Sequence, residues 1–106
     1  MKQWEIWTWD FPWGSHPAVI VTPDALLAQP YINVIAASSR RASRLPRLHE
    51  IILDEADGLE WPTLCRLAPF WAVEPTRLKQ RRGELSSERR REAGNKMIRL
   101  FGFWTA

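Results

Sequence analysis

Six short runs of apolar, aromatic or β-branched residues, punctuated by Pro, Gly, Asp or Ser, restrict this chain more than any other feature. They fall at residues 4–9, 18–21, 32–37, 49–53, 63–67 and 70–73, and none exceeds six residues. Runs of that length and composition read as strands, and they are too short to bury a helical face. Only the end of the chain has helical spacing, with Ala93, Met97, Leu100, Phe101 and Trp104 on one stripe. Ser86 or Ser87 caps that helix, Glu88 suits the positive end of its dipole, and Gly102 stops it. Gly94 inside it costs about 1 kcal/mol relative to alanine, so the helix relies on packing. A chain of 106 residues has room for one modest core, hence a single domain over residues 1–106. The expected fold is mainly β, of the α+β kind: a small SH3-like or OB-type barrel followed by a C-terminal helix.

The connections carry less information. Residues 11–17 hold two prolines and a glycine and read as an open loop. Thr22-Pro23-Asp24 reads as a turn that leads into a short helical turn through Leu27. Residues 40–47 carry four arginines without periodicity, as a basic loop, and residues 54–58 form an acidic turn.

Charge and composition bear on partners. Net charge is +3, pI is near 9.6, and twelve of the fifteen basic residues are arginine, the fork-shaped cation suited to phosphate. That favours nucleic acid over a merely solvated surface. Lys79-Gln80-Arg81-Arg82 and Arg89-Arg90-Arg91 read instead as solvated faces, or as docking points for an acidic partner segment. Seven tryptophans are many for this length, and core filling accounts best for at least half of them. Cys65 stands alone, so it forms no internal disulfide, and the cytoplasm is the expected compartment. No apolar run approaches the roughly 20 residues of a membrane span, and the first residues lack the apolar stretch of a signal peptide.

Local motifs add little chemistry by themselves. Asp54-Glu55-Ala56-Asp57 spells an RNA-helicase signature, but the phosphate-cradling glycine-rich loop that such chemistry requires is absent. His16 and His49 lie far apart, and no carboxylates are spaced as ligands, so neither a metal nor another cofactor is expected. Ser38, His49 and Asp54 can be drawn as a triad, without any specific spacing behind them.

The order of several weak motifs is more telling. Glu5-Ile6-Trp7-Thr8-Trp9-Asp10 matches an opening strand of the form Glu-Ile-Trp-x-x-Asp. His16-Pro17-Ala18-Val19-Ile20-Val21 stands where Arg-Pro-Val-Leu-Val-Val is usual, and Ile35-Ala36-Ala37 ends in Ser38-Ser39 where Thr-Ser or Thr-Ala is usual. Gly58-Leu59-Glu60-Trp61-Pro62-Thr63 and the segment from Phe70 to Leu78 follow in the same order, then Gly83-Glu84-Leu85-Ser86 and the terminal helix. Over nearly its whole length the chain resembles the MazF/PemK family of toxins of type II toxin–antitoxin systems.

That resemblance implies an SH3-like barrel of the CcdB/PemK type that forms a homodimer, cuts single-stranded RNA without metal, and is held by a cognate antitoxin. The family credits catalysis to the arginine before the proline and to the threonine that ends the next strand. Those positions hold His16 and Ser38. The resemblance therefore implies a metal-independent endoribonuclease with His16 and Ser38 as catalytic residues and Ser39, Arg40, Arg41 and Arg44 as substrate-binding residues. Serine keeps the hydroxyl. Histidine exchanges a permanent bidentate cation for a group that titrates near neutrality. His16 is then expected as a general acid or base, with Arg40 or Arg41 supplying the charge.

Two other readings stay open. The chain ends Phe103-Trp104-Thr105-Ala106, similar to the Phe-Trp ending of CcdB, a poison of DNA gyrase that acts through that tryptophan. Replacement of the family arginine also fits a catalytically inactive binding module of the same fold.

Overall fold

The computed structural model describes residues 1–102, and each short run becomes a strand. β1 (Glu5–Phe11) and β2 (Gly14–Ile20) form a hairpin paired from Ile6↔Val19 to Phe11↔Gly14. Pro12 and Trp13 alone make its turn, so residues 11–17 are a tight hairpin end and not the open loop their prolines imply. β3 (Ile32–Ala36) pairs with β2 and with β6 (Trp71–Val73), while β7 (Lys79–Glu84) pairs with the far side of β1. The sheet is antiparallel, five-stranded, and ordered β6-β3-β2-β1-β7. β4 (Glu50–Leu53) and β5 (Thr63–Arg66) make a separate ladder, tied to the sheet by a bridge between Ala37 and Cys65. The architecture is thus the expected mainly β fold with a C-terminal helix, α1 (Ser87–Phe101), but the barrel is open.

Residues 17–20 of β2 are buried on both faces, which is why that run is continuously apolar where a one-sided strand would alternate. On one face Ile6, Val19 and Ile35 meet Ile51, Leu53 and Cys65 of the hairpin and Ala93 of the helix. On the other, Ala18, Ile20, Val34 and Val73 meet Phe11 and Leu78, with Trp7, Trp9 and Trp71 packed at the margin. The tryptophans therefore fill edges of the core, not its centre: Trp4, Trp7, Trp9 and Trp71 are half-buried, and Trp13 is exposed. An indole N–H needs a partner, and at the margin Trp7 donates its own to the Glu5 carboxylate.

Most of the charged side chains in the basic runs are paired within the chain. β7 lacks apolar alternation because it is an edge strand whose side chains pair with carboxylates: Lys79 with Asp10, Arg81 with Glu5, Arg82 with Glu60. Arg89 joins Asp54, Asp57 and Glu92, and Arg90 joins Glu84. The acidic turn is likewise more than a turn. Asp54 and Asp57 cap the short 3₁₀ turn Glu55–Asp57 reciprocally. Asp57, only 1% exposed, also accepts from the Ser86 amide and from Arg89, which pins the start of the helix to the β4–β5 connection. Ser86 caps the helix and Gly102 ends it in the left-handed conformation, as its sequence implies. Met97 and Leu100 pack on the core, whereas Phe101 meets Phe70 at the surface; Trp104 lies outside the described residues.

Two glycines give opposite expectations. A Cβ on Gly83 would stand 2.2 Å from the Asp57 carbonyl oxygen and 2.9 Å from the Gly58 Cα. Backbone cannot yield as a flexible side chain would, so Gly83→Ala is expected to lose about 3 kcal/mol of stability. A Cβ on Gly94 meets nothing within 4 Å, so Gly94→Ala is expected to gain about 0.5–1 kcal/mol. Denaturant midpoints measure both. Among the described residues no helix is long and apolar enough to cross a membrane.

Candidate active site

The strand pattern brings three segments to one place. Alternation along β2 sends His16, Ala18 and Ile20 to the same face. β3 sets Ala36 opposite Ala18, and the Ala37 amide donates to the Pro17 carbonyl. Ser38 follows two residues beyond Ala36, where the chain turns to β5, and it lines the same cavity as His16. On the hairpin, Thr63 and Cys65 are buried, so alternation turns Leu64 and Arg66 the other way. Glu50 is the cross-strand partner of Arg66. These side chains converge on a cavity of about 510 Å³ that His16, Ser38, Arg44, Glu50 and Arg66 line. The rings of Trp13 and Trp71 add an apolar wall.

The charges in this cavity are unequal. Arg44 grips Glu50 with both ends of its fork, Nη1 to Oε1 at 2.7 Å and Nη2 to Oε2 at 2.8 Å. The Arg47 amide donates to the same carboxylate at 2.8 Å. The Arg44 guanidinium, aided by that amide, holds the Glu50 carboxyl down at about 2, although burial pushes it up. Glu50 in turn raises Arg44 above its ordinary value. The positive charge of Arg44 is therefore consumed at home. Arg66 is exposed, and its side chain has no hydrogen bond or ion pair among the described residues. It is the uncommitted cation of the cavity.

Ser38 is held from three sides. Its amide donates to the Leu64 carbonyl at 2.8 Å, and its hydroxyl oxygen accepts from the Arg40 amide at 3.0 Å. The buried Thr63 hydroxyl is shared between the carbonyls of Ser38 and Arg40, at 2.7 and 2.8 Å. The Ser38 hydroxyl proton is left free to donate. His16 is half-buried, with its Nδ1 enclosed and without a hydrogen-bond partner. A proton on an enclosed, unpartnered nitrogen costs about 1–3 kcal/mol. The single proton of the neutral ring therefore belongs on Nε2, and the ring meets a bound molecule as a donor.

Of the residues singled out in the sequence, His16, Ser38 and Arg44 line the cavity, whereas Ser39, Arg40 and Arg41 do not. Arg40 serves Ser38 through its backbone, and the Arg41 guanidinium lies 5.7 Å from the centre of the Trp61 ring. The Ser38, His49, Asp54 grouping does not form, because Asp54 caps its own turn and holds Arg89. Glu50 and Arg66, which no motif in the sequence marks, complete the lining. The signal for Glu50 was a lone carboxylate opening an otherwise apolar run; that for Arg66 was its place two residues beyond Leu64 on the same strand face. Burial pushes the Cys65 thiol up, away from any role as a nucleophile. Among the described residues no three His, Cys, Asp or Glu side chains gather in a way that could hold a metal.

The model of the PemK-like, MazF-like toxins of type II toxin–antitoxin systems matches residues 2–101. The chain belongs to this toxin family. No curated protein sequence matches it. Its fold is shared with an endoribonuclease solved in complex with its cognate antitoxin from a mycobacterial species, at TM-score 0.83 and 13% identity over 96% of this chain and 95% of that one. The Mycobacterium tuberculosis toxin MazF-mt6 follows at TM-score 0.78 and 14% identity, over 92% of this chain and 96% of that one. A MazE–MazF structure from Deinococcus radiodurans matches at TM-score 0.73 and 18% identity, over 96% and 95%. At these identities the likeness is one of fold, and the open sheet with its terminal helix is the MazF-like arrangement.

Proposed function

We propose that this toxin is a metal-independent endoribonuclease of the cytoplasm that cuts single-stranded RNA at the cavity of His16, Ser38 and Arg66. The observation that carries the reading is the convergence of the His16 imidazole, the Ser38 hydroxyl and the unpaired Arg66 guanidinium on a single cavity. In such a cut the 2′-oxygen attacks the adjacent phosphorus and the bond from phosphorus to the 5′-oxygen breaks. Charge builds on the phosphorane oxygens, and fixed donors aimed there supply the largest catalytic contribution. His16 donates from Nε2 and Ser38 from its hydroxyl, while Arg66 supplies the permanent charge that the family draws from an arginine at the position of His16. Solvent takes the 2′-hydroxyl proton and returns one to the 5′-oxygen, since the one carboxylate of the cavity is occupied by Arg44. Arg66 takes the part first expected of Arg40 or Arg41.

The family and the antitoxin-bound mycobacterial and Deinococcus neighbours support a cognate antitoxin as partner; the homodimer as the working unit rests on the family resemblance alone. The test is incubation of the purified protein with a long single-stranded RNA in excess chelator. Cuts at discrete positions are expected, and RNA that stays intact at every protein concentration overturns the reading. Arg66→Ala is expected to slow cutting about a hundredfold, the scale of removing one charge-stabilising group, with an unchanged thermal midpoint. A rate within threefold of the parent returns the charge to another arginine.

A further inference from the structure

Trp13 is the one tryptophan among the described residues that is more than half exposed, at 53%. So large an apolar ring, left accessible at the edge of a cavity, offers a surface that a bound group can cover. Its mounting is rigid. Trp13 forms the β1–β2 turn with Pro12, whose own ring fixes its φ, and Gly14 follows at φ +130°, a conformation that side chains resist. The indole lies nearly parallel to Phe11, with ring centres 5.0 Å apart and planes 20° from each other. Phe11 is buried and is itself held edge-on by Trp9 and Trp71. Trp71 also meets the Trp13 ring edge-on at 5.3 Å. One face of Trp13 is thus stacked on the buried Phe11, the His16 ring stands 6.2 Å from the indole at a tilt, and Trp13 lines the cavity together with His16 and Arg66.

We propose that the open face of Trp13 is the stacking platform for one nucleobase next to the cut phosphate. This deepens the ribonuclease reading and rests on it. A flat π-surface beside an uncommitted guanidinium fits a nucleotide, with its base on the ring and its phosphate at Arg66. A platform already locked in place loses little freedom when the base arrives. Because every base has a π-face, the platform sets position along the strand and leaves the identity of the base to other contacts.

The probe is a short single-stranded RNA with 2′-O-methyl groups throughout, which cannot be cut, so binding is scored apart from catalysis. Fluorescence anisotropy of the end-labelled oligonucleotide gives the affinity for the parent, Trp13→Ala, Trp13→Leu and Trp13→Phe. Loss of stacking is expected to weaken binding about tenfold or more in the Ala and Leu variants, with Phe recovering most of it. A series with one abasic nucleotide moved along the strand is expected to show a penalty at one position in the parent, and none there in Trp13→Ala. Equal binding by the parent and Trp13→Ala overturns the platform while leaving the ribonuclease reading intact. That outcome assigns the exposed ring to another occupant, such as an apolar side chain of a protein partner. A parent that neither binds this oligonucleotide nor cuts the unmodified RNA ends both. Trp13→Leu that binds as well as the parent also overturns the platform, because it reduces the contact to apolar burial.

Discussion

Replacing His16 by alanine is expected to lower the cleavage rate at saturating RNA by 100-fold or more, about 3 kcal/mol of transition-state stabilisation, with little change in KM. The expectation follows from one enclosed atom. Nδ1 has no hydrogen-bond partner, so the ring proton resides on Nε2, and the ring contributes a donor to the phosphorane. A glutamine side chain also ends in an N–H donor, at a similar reach from the backbone, and it titrates nowhere near neutrality. His16→Gln is therefore expected to recover a substantial part of the lost rate. A proton-transferring histidine would behave differently: glutamine would be as inactive as alanine. Rates of the three proteins under single-turnover conditions decide between the two roles, and His16→Ala at parental rate removes His16 from catalysis altogether.

The second large effect concerns stability. Glu50 is 2% exposed and carries the Arg44 fork, the Arg47 amide and, through its carbonyl oxygen, Lys96 of the helix. Glu50→Ala cuts the basic loop from the hairpin and leaves Arg44 without its partner. Arg44 is itself well exposed, so the cost falls short of that for a fully buried pair, and a fall of roughly 10 °C in Tm is expected. The pH dependence follows from the direction of the shift. The Glu50 carboxyl titrates at about 2 in the folded chain against 4.5 as the ordinary value. A depressed folded value means that the unfolded chain binds the proton more readily. The stabilisation is full above about pH 5 and is lost as pH falls from there through about 2. Unfolding measured by urea across that window is expected to show this component in the parent and not in Glu50→Ala. Parallel pH profiles for the two proteins would contradict it.

The residues that announced the fold did so through spacing. The apolar runs became strands because a four- to six-residue segment can satisfy its backbone only in a ladder, and the stripe through Ala93, Met97 and Leu100 became a helix that packs with it. β7 escaped notice because nothing in Lys79-Gln80-Arg81-Arg82 alternates between apolar and polar; its partners are carboxylates remote in sequence. The two-residue turn at Pro12-Trp13 is not legible in the sequence, because proline and glycine mark a break in the chain without saying how wide the break is. Openness of the barrel was not legible either, since it depends on whether β4 and β5 continue the main sheet, a matter of register that no local pattern states.

Legibility of the site was partial for the same reason. His16 and Ser38 were found by their place in a family-like order. Their neighbourhood is a consequence of β2–β3 pairing, which sequence spacing does not give. The basic loop looked like the source of charge because it holds four arginines. Its arginine that reaches the cavity, Arg44, is neutralised by Glu50, and the free cation arrives on β5 instead. Counting charges along a chain cannot reveal which of them already have partners.

The measurement closest to the central claim is the chemistry of the cut ends. A defined single-stranded RNA is incubated with the protein in excess chelator, and the 5′-side fragments are analysed by mass spectrometry. Attack by the 2′-oxygen predicts fragments that end in a 2′,3′-cyclic phosphate, formed by the parent and strongly reduced in His16→Ala and Ser38→Ala. Fragments ending in a 3′-hydroxyl, with phosphate on the downstream piece, would contradict the account, because water would then have attacked in place of the 2′-oxygen.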